Sequence, residues 1–127
     1  MKILVDSKVL EKIISYAKAQ CDNLCPEVRD PETCVLLVEL CKVLKVQGPP
    51  CIKDYGGFSE EVFKKLIVDI EKRHDLSIQE FLKMMKVKGP SNLQEQIDEI
   101  DGKFALEVLK VYREYRQNRD LIVKLED

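Results

Sequence analysis

Apolar residues are most concentrated in residues 31–46, PETCVLLVELCKVLKV. After the first turn only Glu39, Lys42 and Lys45 are polar, and their spacing of three places them in one narrow stripe of a helix. The run is too long for a typical strand and does not alternate between apolar and polar residues. It therefore predicts a helix that is buried on most sides and packed by the rest of the chain.

An amphipathic segment before this central helix predicts a first helix, from a cap at Asp6 or Ser7 to about Asn23. Its apolar residues share one face: Leu10, Ile13, Ile14, Ala17 and Cys21. The preceding residues 1–5 are interpreted as a short extended segment. Asp30 is expected to cap the central helix by accepting hydrogen bonds from its first backbone amides.

Two more helices are predicted after residues 47–58, QGPPCIKDYGGF, whose prolines and glycines exclude regular helix. Ser59 caps the first of these helices, which runs to about Arg73. Ser77 starts the second with the spacing of a capping box, and Gly89 followed by proline ends it. Both segments carry an apolar stripe at helical spacing, so both are expected to pack against the core.

The last amphipathic segment is predicted to run from a cap at Ser91 or Asn92 to about Lys124. Its apolar positions follow spacings of three and four, similar to a coiled-coil seam: Leu93, Ile97, Ile100, Phe104, Val108, Val111 and Tyr115. An unbroken helix of that length measures about 48 Å. A compact chain of this size has a diameter of only about 36 Å. Either the helix breaks near Gly102 or a partner, most simply a second copy, covers the overhang.

These elements predict an all-α fold, a compact bundle of about five helices around the central helix 31–46, in a single domain over residues 1–127. A hydrophobic content of 45% and a charged content of 35% exclude a disordered chain. The net charge of -2 provides no attraction to nucleic acid or anionic lipid, and no membrane partner is expected. Five cysteines without a secretory signal indicate reduced thiols in a cytoplasmic protein.

Candidate chemistry is sparse. Glu71 and His74 have the Glu-x-x-His spacing of di-iron bundle sites, but such sites need a second pair. Glu95, Asp98 and Glu99 suit a divalent cation, without a matching acidic pair on another helix. The cysteines lack the paired two-residue gaps of zinc sites. We therefore expect no enzyme, no metal and no cofactor, and an acidic-site metal-dependent hydrolase is the third-ranked hypothesis.

Cationic and aromatic residues interleave toward the end of the last segment: Tyr112, Arg113, Tyr115, Arg116 and Arg119. These residue types are enriched at protein interfaces, and they also contact phosphates and stack on bases. Charge along the segment is polarised, acidic over 91–102 and mainly basic over 103–124. The sequence thus predicts a non-catalytic interaction protein, an adaptor, assembly subunit or inhibitor, that binds a protein partner and self-associates through this helix. The alternative is a nucleic-acid-binding accessory protein that uses the same Tyr/Arg-rich end.

Overall fold

A computed structural model describes residues 4–21, 30–117 and 124–126, with side chains over 6–21 and 30–114. The predicted all-α fold is confirmed, because helices account for most of these residues. The described residues form six helices and two three-residue strands: β1 (Leu4–Asp6), α1 (Ser7–Ala19), α2 (Pro31–Leu44), α3 (Cys51–Asp54), α4 (Glu60–His74), α5 (Ile78–Lys88), α6 (Leu93–Gln117) and β2 (Lys124–Glu126).

The contacts of the chain divide it into two units. Unit 1 combines the described residues of Met1–Phe58 with those of Val111–Asp127, and unit 2 is Ser59–Lys110. Helix α6 contributes to both, since its residues lie on either side of this boundary. The prediction of a single domain over the whole chain stays a prediction.

In unit 1, α1 follows directly on β1, which pairs in parallel with β2. Asp6 caps α1, because its carboxylate accepts a hydrogen bond from the Lys8 amide at 2.8 Å. Helices α1 and α2 share a core of Leu10, Ile14, Leu37 and Cys41. The structure corrects two details: α1 ends at Ala19, before the predicted Asn23, which lies outside the described residues, and Ile13 is exposed.

Helix α2 is the predicted central helix and buries Val35, Leu37, Val38 and Cys41. It ends two residues earlier than predicted, where Lys45 adopts a left-handed conformation with φ 58°. The prediction that the Asp30 side chain accepts hydrogen bonds from the first backbone amides of α2 is wrong. The Asp30 carboxylate accepts a hydrogen bond from the Thr33 hydroxyl at 2.7 Å, and no backbone amide donates to it.

The predicted break 47–58 contains a one-turn helix, so the expectation that it excludes regular helix is wrong. Pro50 stands at the N-cap of α3. A backbone N–H at this position has no partner within the helix, so the N–H that proline lacks costs no hydrogen bond. Gly56 and Gly57, with φ 73° and 133°, follow the end of this turn. Phe58 then buries its ring, and its carbonyl accepts a hydrogen bond from the Lys42 ammonium at 2.8 Å.

In unit 2, hydrogen bonds confirm the predicted N-terminal caps of the helices. The Ser59 and Ser77 hydroxyls accept hydrogen bonds from backbone amides at the starts of α4 and α5. The Asn92 side chain accepts one from the Glu95 amide at 2.8 Å and starts α6. One core cluster of this unit combines buried side chains of α4 and α5, Ile70, Ile78, Phe81 and Met85, and α6 adds the buried Phe104, Ala105 and Val108 to the unit.

Helix α6 continues through Gly102, so a break at this residue, one of the two alternatives that the sequence left open, does not occur. A Cβ atom at Gly102 would lie 3.0 Å from Ile78 Cδ1 and 3.6 Å from Leu82 Cδ2. This glycine therefore allows α5 and α6 to approach closely, at a cost of about 1 kcal/mol in helix propensity. The helix ends at Gln117 rather than Lys124, which lies in β2, so it is about 37 Å long instead of 48 Å.

Candidate functional site

The five predicted partner-binding residues lie at the end of α6 or beyond it. The Tyr112 hydroxyl donates a hydrogen bond to Glu39 Oε1 at 2.7 Å, which ties the half-buried Tyr112 to α2 within unit 1. Arg113 is exposed. Tyr115 and Arg116 belong to α6, but their side chains lie outside those described, and Arg119 lies outside the described residues. That these residues bind a partner stays a prediction.

The three carboxylates of the hypothetical metal site each have another partner. Glu95 Oε1 accepts a hydrogen bond from the Ser91 amide at 2.7 Å, which completes the N-terminal cap of α6 and lowers the pKa of Glu95. A Glu99 oxygen lies 3.8 Å from the Lys103 ammonium. Asp98 is buried within unit 2. Within 6–21 and 30–114, no group of three His, Cys, Asp or Glu side chains has the geometry of a metal site.

The Glu71 and His74 pair is also divided between two structural roles. Glu71 Oε2 accepts a hydrogen bond from the Ile78 amide at 2.8 Å and thereby helps to cap α5. The His74 ring stacks on Phe81, with centroids 4.3 Å apart and planes 23° apart. Its Nε2 lies 2.7 Å from Asp98 Oδ2. Glu71 and His74, whose spacing suggested a pair of metal ligands, therefore hold α4 against α5 and α6.

Asp98 is the centre of a polar cluster that the sequence did not reveal. Arg73 donates twice to it, from Nε to Oδ2 at 3.1 Å and from Nη2 to Oδ1 at 2.9 Å. Gln94 Nε2 donates to Oδ1 at 2.8 Å. Because a carboxylate only accepts, Nε2 of His74 carries the proton of the fourth contact. All four donors come from unit 2 and converge on a side chain that is almost completely buried.

The charges of this cluster stabilise each other. Burial alone would raise the pKa of Asp98, but the hydrogen bonds from Arg73, His74 and Gln94 outweigh it and lower that pKa below its ordinary value. The hydrogen bond to Asp98 in turn raises the pKa of Arg73. The described contacts of His74 are the Asp98 carboxylate and the Phe81 ring, so its side chain is hydrogen-bonded and packed within unit 2. The cluster therefore acts as a structural clamp between α4 and α6.

The apolar row at the start of α6 is open. Leu93, Ile97 and Ile100 are 69%, 43% and 39% exposed, although their spacing of i, i+4 and i+7 places them on one face. The same face continues into Phe104 and Val108, which are buried. We refer to Leu93, Ile97 and Ile100 as the α6 stripe. Among the described side chains, the predicted coiled-coil seam is therefore buried at Phe104, Val108 and Val111 and substantially exposed in the α6 stripe.

A second apolar surface runs along α5. Val87 is 81% exposed, and together with Met84 it lines a shallow groove of about 380 Å³. The groove is completed by charged side chains. We call the whole set the α5 strip: Glu80, Lys83, Met84, Val87 and Lys88. Because the strip and the α6 stripe both belong to unit 2, this unit presents two apolar rows on consecutive helices.

No family model, curated protein or solved structure matches this chain. Among the described residues, no helix combines the length and the apolar character that crossing a membrane requires. The function of this protein is therefore inferred from its own residues, of which the α5 strip and the α6 stripe form exposed apolar rows.

Proposed function

We propose that this chain is a small, non-catalytic cytoplasmic protein that acts by binding another protein, as an adaptor, assembly subunit or inhibitor. The C-terminal helix α6 carries the contact. The observation in favour is the α6 stripe, since a row at i, i+4 and i+7 is the pattern by which helices anchor in a groove or on another helix. The polar side chains that could suggest chemistry, Asp98 and His74, are occupied by each other.

The size of the α6 stripe is compatible with the centre of an interface. Burying the exposed parts of its three side chains removes roughly 250 Å² of apolar surface from water, or about 6 kcal/mol before the cost of association. A specific interface covers about 800 Å² on each partner. Polar and charged neighbours must therefore supply the rim of the contact, as they do in most protein complexes.

The basic end of α6 is the second proposed part of the contact. Arg113 is exposed there, and the hydrogen bond to Glu39 holds Tyr112 in place beside it. Arginine and tyrosine are both common anchors at interfaces. Tyr115, Arg116 and Arg119 follow in the sequence and complete the proposed set.

Quantitative affinity capture from the native source tests this function. We expect a protein partner to copurify with the wild type and to be lost with Ile97→Asp, because a carboxylate would be buried at the centre of the contact. Val68→Asp is the matched control, since Val68 is also 43% exposed but lies on α4. Loss with Tyr112→Ala combined with Arg116→Ala would extend the contact to the basic end. Equal capture by the wild type and Ile97→Asp would contradict a contact through the α6 stripe.

The nucleic-acid alternative rests on the exposed Arg113 and the basic residues after it. A salt titration separates the two functions, because counterion release predicts a steep loss of affinity for RNA or DNA as salt rises. The acidic-site hydrolase gains nothing from the geometry, since Glu95 caps α6 and Asp98 is held by Arg73. Metal in the purified protein that disappears with Glu95→Gln combined with Glu99→Gln would favour it nevertheless.

A further inference from the structure

We draw no further inference here: the strongest candidate, the exposed apolar row that Val9, Ile13 and Tyr16 form along one face of α1, carries nothing, because nothing in the described part of the chain shows what covers it.

Discussion

Replacing Asp98 by asparagine should destabilise the protein strongly, because the clamp depends on a buried negative charge. Asparagine keeps the volume of the side chain, so no cavity forms. Asparagine offers one acceptor oxygen where aspartate offers two. Its NH2 group, itself a donor, would face the N–H donors of Arg73, His74 and Gln94. Breaking one side of a buried ion pair costs about 3–5 kcal/mol. Since the Arg73 side chain is 42% exposed and can recover water, we expect about 2–3 kcal/mol.

The effect should depend on pH in a defined direction. The pKa of Asp98 is lower in the folded protein than its ordinary value of 3.8. Its stabilisation is therefore fully present above the unfolded pKa and is lost as the pH falls through the lower, folded pKa. The difference in stability between the wild type and Asp98→Asn should be constant above about pH 5 and should shrink below about pH 4.

Urea denaturation followed by far-UV circular dichroism measures both quantities. Glu99→Gln is the matched control, since it also converts a carboxylate of α6 into an amide. Its ion pair with Lys103 is 3.8 Å long and partly exposed, so the control should cost less than about 0.5 kcal/mol. If Asp98→Asn costs no more than Glu99→Gln, or if its effect grows as the pH falls, the clamp does not stabilise the fold as argued.

Three further predictions concern single residues. Tyr112→Phe removes the donor to Glu39 and should lower the free energy of unfolding by about 1 kcal/mol in urea; an unchanged midpoint would contradict this. Gly102→Leu should cost about 1–3 kcal/mol through contact with Ile78, whereas in Gly102→Ala the gain in helix propensity offsets the shift of one methyl group; equal effects would refute close packing at this point. Burial raises the pKa of the Cys41 thiol, so peptide mapping after iodoacetamide treatment should find Cys41 unmodified in the native protein and modified in urea.

The sequence predicted the elements well where one local signal determines them. Ser59, Ser77 and Asn92 start helices as expected, since a capping side chain bonds to amides only a few residues away. Prediction from the sequence failed at residues 47–58 and left the role of Gly102 undecided, because proline and glycine each serve more than one structural purpose. Pro50 suits the start of a short helix, and Gly102 admits the side chain of a neighbouring helix.

The Asp98 clamp could not be predicted because its partners are distant in sequence. Arg73 and His74 precede Asp98 by 25 and 24 residues, and no periodic pattern connects positions that far apart. One local signal was present: Asp98 falls on the same face of α6 as Gly102 and Ala105, both buried. A carboxylate on a face of small buried residues needs a cationic partner, but that requirement alone does not distinguish a basic side chain from a metal ion.

This second face of α6 explains why the first is open. The apolar seam that includes Ile97 predicted where the helix would be buried, yet α4 and α5 pack against the face of Asp98 and Gly102 at this end. A helix has two buried faces only if neighbours lie on both sides of it. Within the described residues, Phe63 contacts Phe104 further along α6, and the α6 stripe keeps substantial exposure. The stripe therefore remains available for contact with another molecule, which is the basis of the proposed function.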